Sequence, residues 1–229
     1  QVALARLVRD VNNSIRTRVV LLPANSAGDN IIFHAEGGDV VLPLLRQQKD
    51  GEECLSLSDF VKPCGTDYVG AFAVTAGRGI EEIISGYQQT DDFKALLYQS
   101  LSDRLAEAAT ELLHARVRRE VWGYAPDERI DRQRALRAQY RGIRPAAGYP
   151  SLPDQSAIFA IEKIVGFTNV GIAVTPNGAM SPASSVSGLM IAHPASHYFM
   201  IGAIAPDQRR DYAARCGITE EELSKWLPK

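Results

Sequence analysis

Val19-Val20-Leu21-Leu22, then Ser26-Ala27-Gly28-Asp29, then Asn30-Ile31-Ile32-Phe33-His34 set the fold class of this chain. The first run is branched and apolar and predicts a buried strand. The middle four residues carry turn chemistry. The last run predicts a second strand, and a turn this short makes the two an antiparallel hairpin. Downstream, Asp67-Tyr68-Val69-Gly70-Ala71-Phe72-Ala73-Val74-Thr75 is a strong strand that ends at Ala76-Gly77-Arg78-Gly79. Gly188–His193 and His197–Ile204 read as strands joined by Pro194-Ala195-Ser196, a second hairpin. Residues 46–53 are polar, a loop or a helix end.

Helices fall between the strands without βαβ alternation. Residues 2–15 predict one, with Val2, Leu4, Ala5, Leu7, Val8 and Val11 on one side. The clearest begins at Asp91-Asp92, residues suited to a cap and to the positive end of the helix dipole. In it Phe93, Leu96, Leu97, Leu101, Leu105, Ala108, Leu112 and Ala115 recur at helical spacing and predict a core-facing stripe. Asp103, Glu107 and Glu111, four residues apart, share another face. They form either a solvated acidic surface or a functional one. Further helices are expected over Arg129–Tyr140, from Pro153-Asp154 to Val165, over Asp207–Arg215 and over Thr219–Leu227, the last with a Thr219/Glu222 capping box. The whole predicts an α+β fold, a largely antiparallel twisted sheet flanked by helices, in a single domain spanning residues 1–229.

Composition excludes several classes. The 229 residues carry 45% hydrophobic and 23% charged side chains and a net charge of −2. That is ordinary for a globular domain and gives no basic surface for a nucleic acid. No apolar run is long enough for a bilayer, so no membrane partner is expected. The amphipathic start is not a signal peptide. Three cysteines, Cys54, Cys64 and Cys216, lack metal-ligand spacing, and their odd number predicts reduced thiols in the cytoplasm. The four histidines form no metal motif either. Gly77-Arg78-Gly79 lacks the third glycine of a dinucleotide fingerprint, and there is no P-loop. The chain begins with Gln rather than Met and reads as an excised domain or a trimmed product.

Two loops stand out. Arg141-Gly142-Ile143-Arg144-Pro145-Ala146-Ala147-Gly148-Tyr149-Pro150 is dense in residues that restrict or extend backbone choice, so it predicts a shaped loop. It can present the Arg144 fork to a carboxylate beside the Tyr149 hydroxyl, or it is a tight connection after a helix. Asn177–Gly188 is rich in small residues. Either something approaches it closely or it is a surface connection.

The same residues resemble a known family. Ser58-Asp59-Phe60-Val61, Asp67–Val74, Asp103–Ala108, Leu113–Arg119, Trp122-Gly123-Tyr124-Ala125-Pro126, the RxxxGYP element Arg144–Pro150, Pro182–Gly188, Asp211-Tyr212-Ala213 and Trp226-Leu227 are similar, in consistent order, to the C-terminal activation domain of cobalamin-dependent methionine synthase. The resemblance implies S-adenosylmethionine binding and reductive methylation of inactive cob(II)alamin. The cobalamin would come from the cobalamin-binding domain of the synthase and the electron from flavodoxin or a diflavin reductase. It implies Arg144 on the methionyl carboxylate, Tyr149 near the transferred methyl, and backbone around Ala146 and Gly148 close to the ligand. It also implies Glu107 near the ligand's positive charge and Tyr198 near the adenosyl part. Asp103, Ser184 and Ser185 would meet the cobalamin domain, with the Ser181–Gly188 loop facing the corrin and Ser184 open enough to accept tryptophan. No acid–base catalyst is required, and the main homocysteine methylation lies outside this chain. Relatives carry an upstream Asp-Trp dipeptide that this sequence does not contain, so an N-terminal segment is expected to be missing. That departure keeps open an alternative, a module that docks a cobalamin or flavin protein without binding S-adenosylmethionine.

Overall fold

A computed structural model of the protein describes residues 15–51 and 53–228. Apart from Ile15, the helix expected over residues 2–15 lies outside them. The expected first hairpin is present: β1 (Arg16–Ser26) pairs antiparallel with β2 (Asn30–Phe33), with Ala24 opposite Phe33. A four-residue strand, β3 (Val40–Pro43), extends it on the far side of β2. On the other side of β1 lies β4 (Tyr68–Thr75), in register from Arg16 opposite Thr75 to Pro23 opposite Tyr68.

The small-residue segment supplies one short strand and the start of another. Met180–Ser181 (β6) pairs with Ala173–Val174 (β5) in a separate two-stranded sheet. Ser185–Met190 (β7) joins β4, giving the main sheet the order β3-β2-β1-β4-β7, antiparallel throughout. The fold is thus α+β with a five-stranded antiparallel sheet, as expected.

β4 is apolar along nearly its whole length because both of its faces are covered. Val69, Ala71 and Ala73 point into the larger core, formed with α4 (Ala157–Val165) and Phe167. Ile158, Ile161, Val165 and Phe167 are all essentially inaccessible, and each contributes about 1.5–3 kcal/mol by burial. Phe72 and Val74 point the other way, onto Val117 and Met190. That second face is covered by the long helix α2 (Asp92–Arg116), with α1 (Ile80–Gln88) packed beside it. The short helix α3 (Arg132–Leu136) lies between α2 and α4 in sequence, and α5 (Pro206–Cys216) and α6 (Glu220–Leu223) close the chain over Leu45 and Ile201.

Several expectations are corrected. The stripe on α2 meets the core only in part: Leu101 and Leu105 are half-buried against it, Leu97 and Ala115 are half-buried, and Phe93, Leu96, Ala108 and Leu112 are exposed. The buried face is Ala95, Tyr98, Ser102, Ala106, Thr110 and His114. Small side chains let the helix approach the chain beneath it, and the hydroxyls are satisfied locally. Ser102 Oγ donates to Ala76 O at 3.0 Å and Thr110 Oγ1 to Ala106 O at 2.8 Å. The helix expected over 129–140 shrinks to α3, capped by Asp131, and Ala138 sits at φ 51° beyond its end. There is no strand over His197–Ile204 and so no second hairpin. The backbone there is held by Ser151, which accepts from Phe199 N and donates to Phe199 O, by Gln47 Nε2 on Met200 O (2.7 Å), and by Pro150 O. The Thr219–Leu227 helix is only α6, with Thr219 Oγ1 accepting from Glu222 N at 3.1 Å.

Past its last α-turn α2 widens into a π-turn over Val117–Val121, with Trp122 N donating to Val117 O. The extra residue turns both Val117 and Arg118 inward. Arg118 is among the largest buried side chains. Its Nε donates to Glu128 Oε2 at 2.6 Å, and its guanidinium lies 4.1 Å from the Tyr140 ring centre. Among the described residues no helix is long and apolar enough to cross a membrane.

Candidate functional site

The Arg141–Pro150 segment is shaped, as its composition implies, and the sheet shapes it. Ile143 and Ile191 exchange backbone hydrogen bonds at 2.9 Å, and Leu189 N donates to Pro145 O at 2.9 Å. The segment therefore runs along β7 as a bridged edge, with Ala146 opposite Gly188. Gly188 is required by this approach, because a Cβ there would collide with Pro145 O and Ala146 Cα. Gly148 is at φ 83°, a conformation unfavourable for other residues, and its N–H donates to Leu152 O. Arg141 ties down the start of the loop through Ala192 O and Tyr124 O, both at 3.1 Å.

Between this loop, α2 and the 198–200 segment lies a cavity of about 610 Å³. That is within the usual range for a small-molecule site. Glu107 and Glu111 reach it from α2, Leu136 from α3, Arg144, Ala146 and Tyr149 from the loop, and Tyr198 and Met200 from the pinned segment. Four residues named from the sequence, Glu107, Arg144, Tyr149 and Tyr198, thus meet on one wall system with Ala146. Gly148 does not line this cavity. It lines a neighbouring one of about 440 Å³, whose boundary with the first is Tyr149, Pro150 and Met200.

Arg144 is held at both ends. Its backbone N–H donates to Tyr198 Oη at 2.9 Å, and its Nη2 donates to Glu111 Oε2 at 2.7 Å. Burial works against the guanidinium charge, but the Glu111 bond and the nearby Tyr198 and Tyr140 hydroxyls outweigh it and raise the pKa above its ordinary value. Behind it His114 is fully buried, its ring edge-on to Tyr140 at 5.1 Å. Burial first, and then Arg118 and Arg144, push the imidazole down to about 2. His114 is therefore a neutral support behind the wall. Tyr149 stands 58% exposed and Tyr198 44% exposed, each presenting an aromatic face and a hydroxyl.

The residues expected to meet a partner behave differently from one another. Asp103 is exposed on α2. Ser184 is buried, and its Oγ donates to Asp103 Oδ1 at 2.6 Å, while Gln99 Nε2 donates to the same oxygen at 2.7 Å. The expectation of an outward Ser184 that accepts tryptophan is corrected, since a bulky side chain has no room beneath Asp103. Ser185 is half-buried, with Oγ donating to Pro182 O. Sequence reasoning left Glu111 as one member of an acidic stripe and did not single out Tyr140, Leu136 or Met200. The signal for Glu111 was its position one turn beyond Glu107.

A cavity with a fork-shaped cation, two exposed tyrosines and carboxylates on a facing helix suits a zwitterionic ligand that carries an aromatic or heterocyclic part. The family described as vitamin B12 dependent methionine synthase, activation domain, matches residues 1–217. Among solved structures, the MetH reactivation domain bound to AdoHcy superposes with a TM-score of 0.86 at 37% sequence identity, covering 98% of this chain and 76% of that one. On the sequence match and the shared fold together, the chain belongs to the activation-domain family of vitamin B12-dependent methionine synthase.

Proposed function

We propose that this chain binds S-adenosylmethionine in the 610 Å³ cavity and presents its methyl group to a reduced cobalamin held by another domain of the synthase. The observation that carries the reading is that Arg144, Tyr149, Glu107 and Tyr198 line one and the same cavity. The AdoHcy bound by the related MetH domain is what S-adenosylmethionine becomes when its methyl leaves.

In this reading Arg144 takes the methionyl carboxylate through its planar fork. Tyr149 lies against the sulfonium, where a ring face favours positive charge. Glu107 faces the same charge, and Tyr198 with backbone near Ala146 holds the adenosyl part. Gly148 acts indirectly, by giving the loop the turn that aims Tyr149. A reduced cobalamin presented by the other domain would supply the electron pair that displaces the sulfur at the methyl carbon. An electron donor such as flavodoxin or a diflavin reductase regenerates that reduced state. The chain's own contribution is alignment, since the methyl transfer needs no protein acid or base. Exposed Asp103, braced by Ser184 and Gln99, and Ser185 beside it form the face offered to the cobalamin domain.

Calorimetric titration of the chain with S-adenosylmethionine tests the reading. Saturable binding is expected, weakened by roughly 1.5–3 kcal/mol in Arg144→Ala, where a charge-assisted bond is lost. No binding by the parent would overturn it in favour of a docking module.

A further inference from the structure

The cavity wall holds a charge arrangement that positioning of a carboxylate alone does not explain. Its charged lining side chains are Glu107, Glu111 and Arg144. The Arg144 side chain is 19% exposed and Glu111 33% exposed, and they meet through one bond, Nη2 to Oε2 at 2.7 Å. The other two atoms that face a partner in an arginine–carboxylate fork, Arg144 Nε and Glu111 Oε1, are buried and have none. The pair is one bond short of the bidentate geometry, and two buried orphan atoms favour completing it.

Glu111 thus does two things at once. It fixes the rotation of the guanidinium, leaving the Nη1 side for another anion. It also neutralises the one cation that the described residues place on the wall, so that among them one cation and two anions leave a surplus of one negative charge. His114, behind the pair, adds no positive charge to that balance.

S-adenosylmethionine carries a carboxylate, an ammonium and a sulfonium, a net single positive charge. Its demethylated product, a thioether, is a neutral zwitterion. We infer that Glu111 is a specificity-determining residue, which positions Arg144 and sets the charge of the cavity so that the sulfonium substrate binds in preference to the thioether product. The inference rests on the S-adenosylmethionine reading above and extends it to discrimination between the two ligands. With Glu111 ionised, the cavity's charge complements the ligand before methyl transfer and loses that complement afterwards, which favours product release. Without it, Arg144 would be uncompensated and the site would hold either zwitterion by its carboxylate.

The test measures dissociation constants for S-adenosylmethionine and S-adenosylhomocysteine on the parent chain, Glu111→Gln, Glu111→Asp and Arg144→Ala. Glutamine keeps an acceptor for Nη2 and removes only the charge. The preference for S-adenosylmethionine over S-adenosylhomocysteine should fall about tenfold in Glu111→Gln, the scale of one charge acting across a partly wet site. Glu111→Asp should keep the parent's preference even where both affinities drop, and Arg144→Ala should weaken both ligands together. In the parent, added salt should weaken S-adenosylmethionine more than S-adenosylhomocysteine. An unchanged preference in folded Glu111→Gln would make Glu111 a structural residue only and overturn the inference, while the binding reading would stand. If Glu111→Gln does not fold, loss of the preference in Glu111→Asp, or equal salt dependence of the two ligands in the parent, overturns it as well. A parent that binds neither ligand overturns both readings.

Discussion

Acidification from about pH 7.5 to about pH 5 should remove about 2 kcal/mol of stability through one side chain, His114. The ring is completely buried beneath Tyr140, its Nε2 lies 3.4 Å from Tyr124 Oη, and its Nδ1 has no partner. Burial, with the Arg118 and Arg144 guanidiniums adding to it, lowers its pKa from 6.5 to about 2. Between those two values the unfolded chain binds a proton that the folded chain refuses. Stability therefore rises with pH inside that window and is lost as pH falls below the unfolded value. At about pH 5 the unfolded histidine is some 1.5 units below its midpoint, which gives RT ln(1 + 10^1.5), or about 2 kcal/mol. In a domain of this size that is a fall of about 4–8 °C in Tm. Asp59, where the Arg46 bonds outweigh burial, has a lowered pKa and loses its contribution only below its ordinary 3.8, outside the window. Urea melts at a series of pH values measure the slope directly. His114→Gln and His114→Met, whatever they cost at neutral pH, should flatten it. If parent and both variants lose stability in parallel over this range, His114 is not the group that titrates and the reasoning fails.

Three further outcomes are expected. Gly188→Ala forces the Arg144 loop off β7 and should cost about 1–3 kcal/mol, with weaker S-adenosylmethionine binding by calorimetry. Glu128→Ala strands the buried Arg118 and should cost about 3–5 kcal/mol in a urea melt, whereas Arg118→Met with Glu128→Leu should cost clearly less. Ser184→Ala removes the bond to Asp103 for about 1 kcal/mol, while Ser184→Trp should fail to give a cooperative melt at all.

What could be read from sequence was local. The 19–34 hairpin carries its strands and its turn within sixteen consecutive residues, and Asp91 announces a helix by capping chemistry that needs no tertiary partner. β7 was misplaced because its ladder is with β4, far away in the chain, and nothing near Pro194 pairs with it. The buried face of α2 was misread because leucines are conspicuous and alanine, serine and threonine are not. Close helix-to-sheet approach selects the latter, and only the packed structure reveals which face approaches. At the site, Arg144 and Tyr149 were legible from an unusual loop and a family resemblance. Glu111 was visible as a carboxylate one turn from Glu107, but its pairing with Arg144 spans two elements that no spacing rule connects. Ser184 faces inward because its hydroxyl donates to Asp103 and at the same time accepts from Gln99.

The bridging of residues 143–146 onto β7 has a dynamic consequence. A binding loop that hangs in solvent opens on its own, and its amides exchange with water independently of the fold. Here the amides of Ile143, Leu189 and Ile191 are shared between loop and sheet edge, so the loop cannot lift without breaking three backbone hydrogen bonds together. The position of Arg144 is then held by the sheet, and deuterium uptake at these three amides should be slow and should rise together. Covering the 188–191 end of that edge also shortens the row of donors and acceptors it offers to another chain. Side chains at 144, 146 and 149 can accordingly be exchanged to alter what the cavity accepts while the backbone that carries them stays in place.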